Sequence, residues 1–236
     1  MSVHGHSIDD YLETIYFLAF PVGEYGPVVR DQPALSARIG EMLGVSRASV
    51  SEMMKRLENE GLVERGERKE AILTASGKEA AERVVRRHRL IECFLTQFLG
   101  YTPAEAHEQA DHLGATFTDD MIERTAERLG HPERCPHGWP VNPDQERAEN
   151  RDLRPLSELV VGAHATIIRL AEHDGELLHW FYDAGLTPGI GVQIAARADD
   201  GALELTVGDR SGLASESRSA VASEQAAAGL FVLPAA

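Results

Sequence analysis

The stretch LSARIGEMLGVSRASVSEMMKRLENEGLVERGERKEAILT, residues 35–74, decides the fold of this chain. Leu35, Ile39, Met42 and Leu43 recur at helical spacing and stop at Gly44. Val45 and Ser46 open a second helix, whose stripe of Val50, Met53, Met54 and Leu57 runs to a stop at Glu60-Gly61. Two short helices joined by a tight turn predict a helix-turn-helix. Gly40 falls where the two helices must cross closely, Gly44 supplies the turn, and Val45 and Val50 plug the angle between them. Residues 62–65 and 71–74 flank the polar 66–70, which predicts a hairpin and therefore a winged helix-turn-helix. In such a unit the start of the second helix enters the major groove, so Ser46, Arg47, Ala48, Ser49 and Glu52 are the candidates for base edges and nearby phosphates. Lys55, Arg56, Arg65, Arg68 and Lys69 are candidate phosphate contacts, or simply a solvated surface. Glu52, Glu58, Glu64, Glu67 and Glu70 dilute this patch, so DNA affinity is expected to need two recognition helices acting together in a dimer.

The rest of the composition bounds the reading. A chain of 236 residues accommodates one large domain or two to three small ones. Its net charge of -15 disfavours nucleic acid as a general partner, so DNA contact has to come from a locally basic face. Two cysteines, Cys93 and Cys135, argue against a disulfide framework. No stretch is apolar enough to span a membrane, and the N-terminus has no secretory pattern, which makes the cytoplasm the expected location.

Before the helix-turn-helix, Ile8, Tyr11, Leu12, Ile15, Tyr16 and Ala19 predict an amphipathic helix opening after Ser7 and ending before Pro21. Asp10 and Glu13 lie on its other face, and Phe17, a turn further on, implies that this face also meets another element. Downstream, a long helix from about Ser76 runs into the His88 region, followed by helices over 107–117 and 121–129 and a turn-rich exit at HPERCPHGWP, residues 131–140. His88 and Glu92 stand one helical turn apart, as do His107 and Asp111. Imidazole and carboxylate so spaced can present a divalent metal with preset donors, or can be solvated ion pairs on amphipathic helices. Residues 141–154 read as a polar linker. Beyond it, strands over 165–170, 191–197, 203–207 and 230–233, with a helix over 175–183, predict a small β-barrel. The stretch 211–229, small and polar, is expected to be mobile.

Taken in order, these segments resemble the diphtheria-toxin-repressor family of metal-dependent transcriptional regulators. The likeness rests on DYLETIY (10–16), the winged helix-turn-helix, RRHRLIE (86–92), GYTPAEAHEQA (100–110) and CPHGWP (135–140), and it covers nearly the whole chain. PLSELVVGAHATIIRL and GELLHWFYDAGLTPG are similar to the SH3-like, FeoA-type domain of the longer members. The resemblance implies a mainly α fold with a small β portion. It divides the chain into a DNA-binding domain (1–76), a helical metal-binding and dimerisation domain (77–140), a linker (141–154) and an SH3-like domain (155–236). It implies a homodimeric repressor of metal-homeostasis genes that binds double-stranded operator DNA, has no membrane partner, is not an enzyme, and takes a divalent metal as effector.

The same resemblance implies a ligand set. Asp10 and Glu13 match the first-helix carboxylates of the manganese-responsive branch, and His88, Glu92 and His107 match ligands of the family's primary and ancillary sites. Asp111 stands where the iron branch has Cys and the manganese branch Glu, and hard oxygen donors at these positions favour Mn2+ over Fe2+. Glu172 resembles the acidic residue that the SH3-like domain contributes. The chain departs from the pattern at Gly114-Ala115, where the family carries a Glu-His pair. Glu108, Asp111 and His112 reproduce the missing carboxylate, carboxylate, imidazole spacing one turn earlier. Two readings therefore stay open, a site rebuilt with His112 or a regulator with altered or lost metal response. A metallohydrolase is a third, for which HExxH, G-x-S-x-G and a phosphate-cradling glycine loop are all missing.

Overall fold

The computed structural model describes residues 6–19, 35–67, 70–149, 152–172, 175–208 and 218–235. It divides into two compact units, residues 1–87 and 88–236.

The first unit holds α1 (Ile8–Ala19), α2 (Leu35–Met42), α3 (Arg47–Asn59) and the two-stranded wing β1 (Val63–Arg65) and β2 (Ala71–Leu73). Its core gathers Tyr11, Leu12, Ile15 and Tyr16 of α1 with Ile39, Val50, Met54 and Leu57, all of them buried. This is the helix-turn-helix read from the sequence. Gly44 adopts φ 62° in the turn, and a Cβ on Gly40 would lie 3.2 Å from the Val45 carbonyl oxygen, so the crossing is as close as the small residue implied. Ser46 caps α3 by accepting from the Ser49 amide. The wing pairs antiparallel with Val63 opposite Leu73 and Arg65 opposite Ala71. Arg68 and Lys69 lie outside the described residues.

A 20-residue helix, α4 (Ala75–Phe94), carries the chain into the second unit and ends in a π-turn, Leu95–Leu99, closed by left-handed Gly100. Then α5 (Pro103–Leu113) starts on a reciprocal capping box between Thr102 and Glu105 and stops at Gly114. Next come α6 (Asp119–Arg128) and the turns of 131–140. The expected linker is structured where it is described. Pro143–Gln145 form a 3-10 turn that runs into α7 (Glu146–Glu149), and Glu146 is buried.

The C-terminal part is an antiparallel six-stranded sheet in the order β3-β8-β4-β5-β6-β7. Its strands are β3 (Arg154–Pro155), β4 (His164–Leu170), β5 (Gly191–Arg197), β6 (Leu203–Val207), β7 (Arg218–Ala222) and β8 (Leu230–Pro234), with α8 (Gly175–Asp183) and α9 (Glu224–Ala228) between them. Register shifts at Ile167/Arg169 and Ile194/Ala196 mark bulges that bend the sheet. Contrary to the expectation for 211–229, its part from 218 onward is ordered. β7 pairs along its length with β6, and Ala222, Ala226 and Ala227 enter the core. Small side chains there serve close packing, which composition alone does not distinguish from a polar tether.

Candidate metal centre

Four buried side chains of the second unit, Glu92, His107, His137 and Glu172, bring one ligand atom each to within 4.8 Å of one another. They arrive from four places: the last turns of α4, the second turn of α5, the CPHGWP turn, and the residue pair after β4. Thr102 and Pro103 fix where α5 begins, which puts His107 on its buried face together with Ala106 and Ala110. The His137 turn is clamped to β4. The Leu170 amide donates to the His137 carbonyl at 3.0 Å, and the Trp139 indole donates to the Leu170 carbonyl at 2.8 Å.

At the centre sits Glu92 Oε1, 2.8 Å from His107 Nδ1, 3.0 Å from His88 Nε2 and 3.3 Å from His137 Nε2. Three imidazole nitrogens around one wholly buried carboxylate oxygen can share protons with it or be gathered by a cation. The donor chemistry suits a divalent ion, because Glu92 Oε2 and His137 Nε2 are buried with no hydrogen bond among the described residues, and such atoms are costly unless something positive faces them. Tyr182 sets the tautomer of His137. Its hydroxyl donates to the Pro136 carbonyl at 3.0 Å and so accepts from Nδ1–H, also at 3.0 Å, leaving the lone pair on Nε2 aimed into the cluster. Burial lowers the pKa of His137 despite the neighbouring Glu92, so its ring is neutral near pH 7. For His107, burial is the largest single effect and acts the same way, but the hydrogen bond to Glu92 and the charges of Glu92 and Asp111 together outweigh it and the net shift is upward. Burial would raise Glu92, yet the adjacent histidines hold it well below the usual carboxylate range. Cys135, pushed well above the thiol range by burial, is no thiolate donor in this state.

A second group, His88, His107 and Asp111, adjoins the first, with His88 Nδ1 3.3 Å from Asp111 Oδ1. His88 thus touches Glu92 with one ring nitrogen and exposed Asp111 with the other. Glu108 and His112 stand outside both groups. Glu108 lies 3.4 Å from exposed His179, and exposed His112 donates through Nδ1 to the Glu108 carbonyl of its own helix. Gly114 closes α5 and Ala115 follows it, at the positions of the missing pair. In the first unit, half-buried Asp10 forms a reciprocal cap with Ser7: it accepts from the Ser7 amide at 2.7 Å, and its own amide donates to Ser7 Oγ at 3.2 Å. Glu13 is half-buried on the next turn. All seven residues proposed to face DNA, Ser46, Arg47, Ala48, Ser49, Glu52, Lys55 and Arg56, are exposed along α3 and its cap.

His137 is the member of the cluster that sequence reasoning missed. Its signal was present in CPHGWP, since a histidine between two prolines and two residues from an apolar Trp is poorly placed to be a solvated one.

Comparison with known proteins places these features. Residues 5–71 match the model for the iron dependent repressor N-terminal DNA binding domain, and 74–142 that for the iron dependent repressor metal binding and dimerisation domain. Residues 154–224 match the FeoA domain. The chain is 31% identical over 197 residues to the iron-dependent repressor IdeR of Mycobacterium tuberculosis, covering 78% of this chain and 81% of that protein. It is 30% identical over 194 residues to the diphtheria toxin repressor of Corynebacterium glutamicum, with the same coverage. Among solved structures, a manganese-dependent transcriptional repressor in complex with manganese superposes with a TM-score of 0.79 at 26% identity, covering 97% of this chain and 100% of that one. ScaR with bound Cd2+ superposes with a TM-score of 0.75 at 26% identity, covering 96% and 99%.

Proposed function

The chain belongs to the iron-dependent repressor family of metal-dependent, DNA-binding transcriptional regulators, and within it we propose that Glu92, His107, His137 and Glu172 hold the effector metal, with Mn2+ as the ion and Fe2+ as the alternative. The family consists of repressors that dimerise through the metal-binding domain and bind operator DNA, not of enzymes, which removes the metallohydrolase reading.

The observation that carries the assignment is the convergence of three imidazole nitrogens on Glu92 Oε1 in a fully buried setting. Charge supports it. Around the cluster, buried Glu92, Glu146 and Glu172 and half-buried Glu149 stand beside two buried cations, Arg89 and Arg169, and with the histidines neutral four negative charges against two positive leave two to be balanced. A bound divalent cation supplies that balance and a single centre for donors from α4, α5, the 135–140 turn and the end of β4. Two imidazoles and two carboxylates, with no thiolate among them, suit Mn2+ or Fe2+ rather than softer ions. His88 and Asp111, adjoining the cluster, extend the donor set toward solvent.

This reading moves sensing away from the rebuilt site, because Glu108 and His112 turn away from both groups. Exposed Phe98, Leu99 and Met121 on the same helical domain offer apolar area to a second copy. Ser46, Arg47, Ala48, Ser49 and Glu52 then read base edges and nearby phosphates, while Lys55 and Arg56 hold phosphates. Metal can favour the DNA-binding arrangement only by its differential affinity for it, typically ~1 to 3 kcal/mol. Titrating Mn2+ into the chelator-treated full chain by calorimetry, and repeating it with E92Q, tests the assignment. The expected result is saturable binding that E92Q removes, with tighter operator binding in the presence of metal. Equal DNA affinity with and without metal would sink the effector role.

A further inference from the structure

Residues 141–154 have the composition of a solvated linker, yet Glu146 is 2% exposed and its carboxylate is bonded to Arg89 Nη1. Arg89, 1% exposed, lies on α4 between His88 and Glu92. The same Nη1 donates to the Pro140 carbonyl at 2.8 Å, and the guanidinium sits over the Trp139 ring at 5.4 Å. Its other terminal nitrogen, Nη2, stops 3.8 Å from Glu172 Oε1 and makes no hydrogen bond among the described residues. A permanent buried cation therefore stands between two carboxylates. One of them it binds, and the other belongs to the metal cluster.

The consequence is electrostatic. A guanidinium does not lose its proton in a protein, and in a poorly screened interior its charge acts strongly on Glu172 and on any cation beside it. Unrestrained, Arg89 would close the gap to Glu172 and occupy that carboxylate itself. Glu146 and the Pro140 carbonyl hold it back from the other side.

We propose that Glu146 is a positioning residue for the four-residue cluster: by holding and neutralising Arg89 it keeps Glu172 available to a divalent cation, and so couples the order of the 143–149 segment to occupancy of the site. This rests on the metal assignment proposed above. The coupling is reciprocal. If Glu146 helps the cation bind, cation binding strengthens the Arg89–Glu146 pair by the same factor, because Glu172 no longer competes for the guanidinium. Information about the site thus reaches the segment that leads into the C-terminal sheet.

The experiment compares Mn2+ binding by the full chain, E146Q and the double variant R89Q/E146Q, with thermal melts of the metal-free proteins to verify folding. E146Q keeps the shape and removes the charge. It is expected to weaken the Mn2+ binding that E92Q abolishes by about tenfold, within the usual range of coupling. The double variant, lacking the competing cation, is expected to recover to within about threefold of the unmodified chain. A purely structural role predicts the opposite, since removing both partners perturbs packing further. Unchanged affinity in E146Q, or a double variant weaker than E146Q, overturns the proposal while leaving the metal site intact. Should E146Q fail to fold, amide exchange of the unmodified chain decides. Slower exchange over 143–149 on adding Mn2+ is expected, and unchanged exchange overturns the coupling. Absence of any E92Q-sensitive Mn2+ binding in the unmodified chain overturns the metal assignment and the proposal with it.

Discussion

The Tyr182 hydroxyl stands 3.0 Å from His137 Nδ1 and donates its own proton to the Pro136 carbonyl, so it can only accept from the imidazole. That single relationship fixes which nitrogen of His137 faces Glu92. Y182F removes the acceptor and leaves a buried Nδ1–H that regains a partner only by changing tautomer or rotating. Loss of such an outer partner typically costs about 10–100-fold in metal affinity. The expected outcome is that loss in a Mn2+ titration with the fold retained by circular dichroism. Unaltered affinity would show that the tautomer is held by other means.

The cluster also predicts how binding varies with pH. The folded pKa of His107 is raised, so its proton stabilises the metal-free fold fully below the ordinary histidine value, and that stabilisation is lost as pH rises through the raised one. A cation ligated by His107 must displace this proton. Burial depresses His137, which is already neutral and has none to give. Affinity should therefore rise about tenfold per pH unit on the acid side and level off once His107 has titrated. Calorimetry in buffers of different ionisation enthalpy counts the protons released. One is expected below the levelling point, and none would contradict a proton on His107.

The fold was largely legible because its helices and strands declare themselves locally. The α2–α3 pair follows from Gly40, Gly44 and a regular apolar stripe, and β4, β5, β6 and α8 sit within a residue of their predicted bounds. Of the candidate site, spacing marked only the donors that share a helix, His88 with Glu92 and His107 with Asp111, and the family resemblance added Glu172. His137 comes from a turn, where no period marks it. Glu146 and Glu149 read as solvated acids because their partners, Arg89 and Arg169, are 57 and 20 residues away in the chain. Gly114-Ala115 drew attention to His112, but α5 ends there and turns that imidazole onto its own backbone.

Gly138 is the backbone element that places His137. It adopts φ 88°, and a Cβ there would lie 1.9 Å from the Ile168 carbonyl oxygen, a backbone atom of β4 that cannot step aside. G138A should cost at least about 2 kcal/mol, combining left-handed strain with overpacking. Gly130 is a control, with φ 71° and, among the described residues beyond its own chain neighbours, no atom within 4 Å of the added carbon. G130A should cost only the backbone strain, about 1 kcal/mol. Urea denaturation of the two variants measures the difference, and equal losses would mean that the turn yields to β4 without penalty.

On α3, exposed Arg47 and Arg56 are offered as phosphate or base contacts and exposed Glu52 as a base reader. Arg56 Nε is 3.0 Å from Glu60, an exposed pair worth little that DNA phosphate can displace. R56A should weaken binding alike for all sequences and reduce the slope of log affinity against log salt by about one per subunit. E52A should behave differently. A carboxylate can accept from the cytosine amino group, so its loss should relax preference at one base pair while leaving the salt slope unchanged. Both can be measured on sites selected from a random duplex library with Mn2+ present. A salt slope unmoved by R56A would remove it from the phosphate contacts, and an unchanged selected sequence for E52A would remove Glu52 from the reading surface.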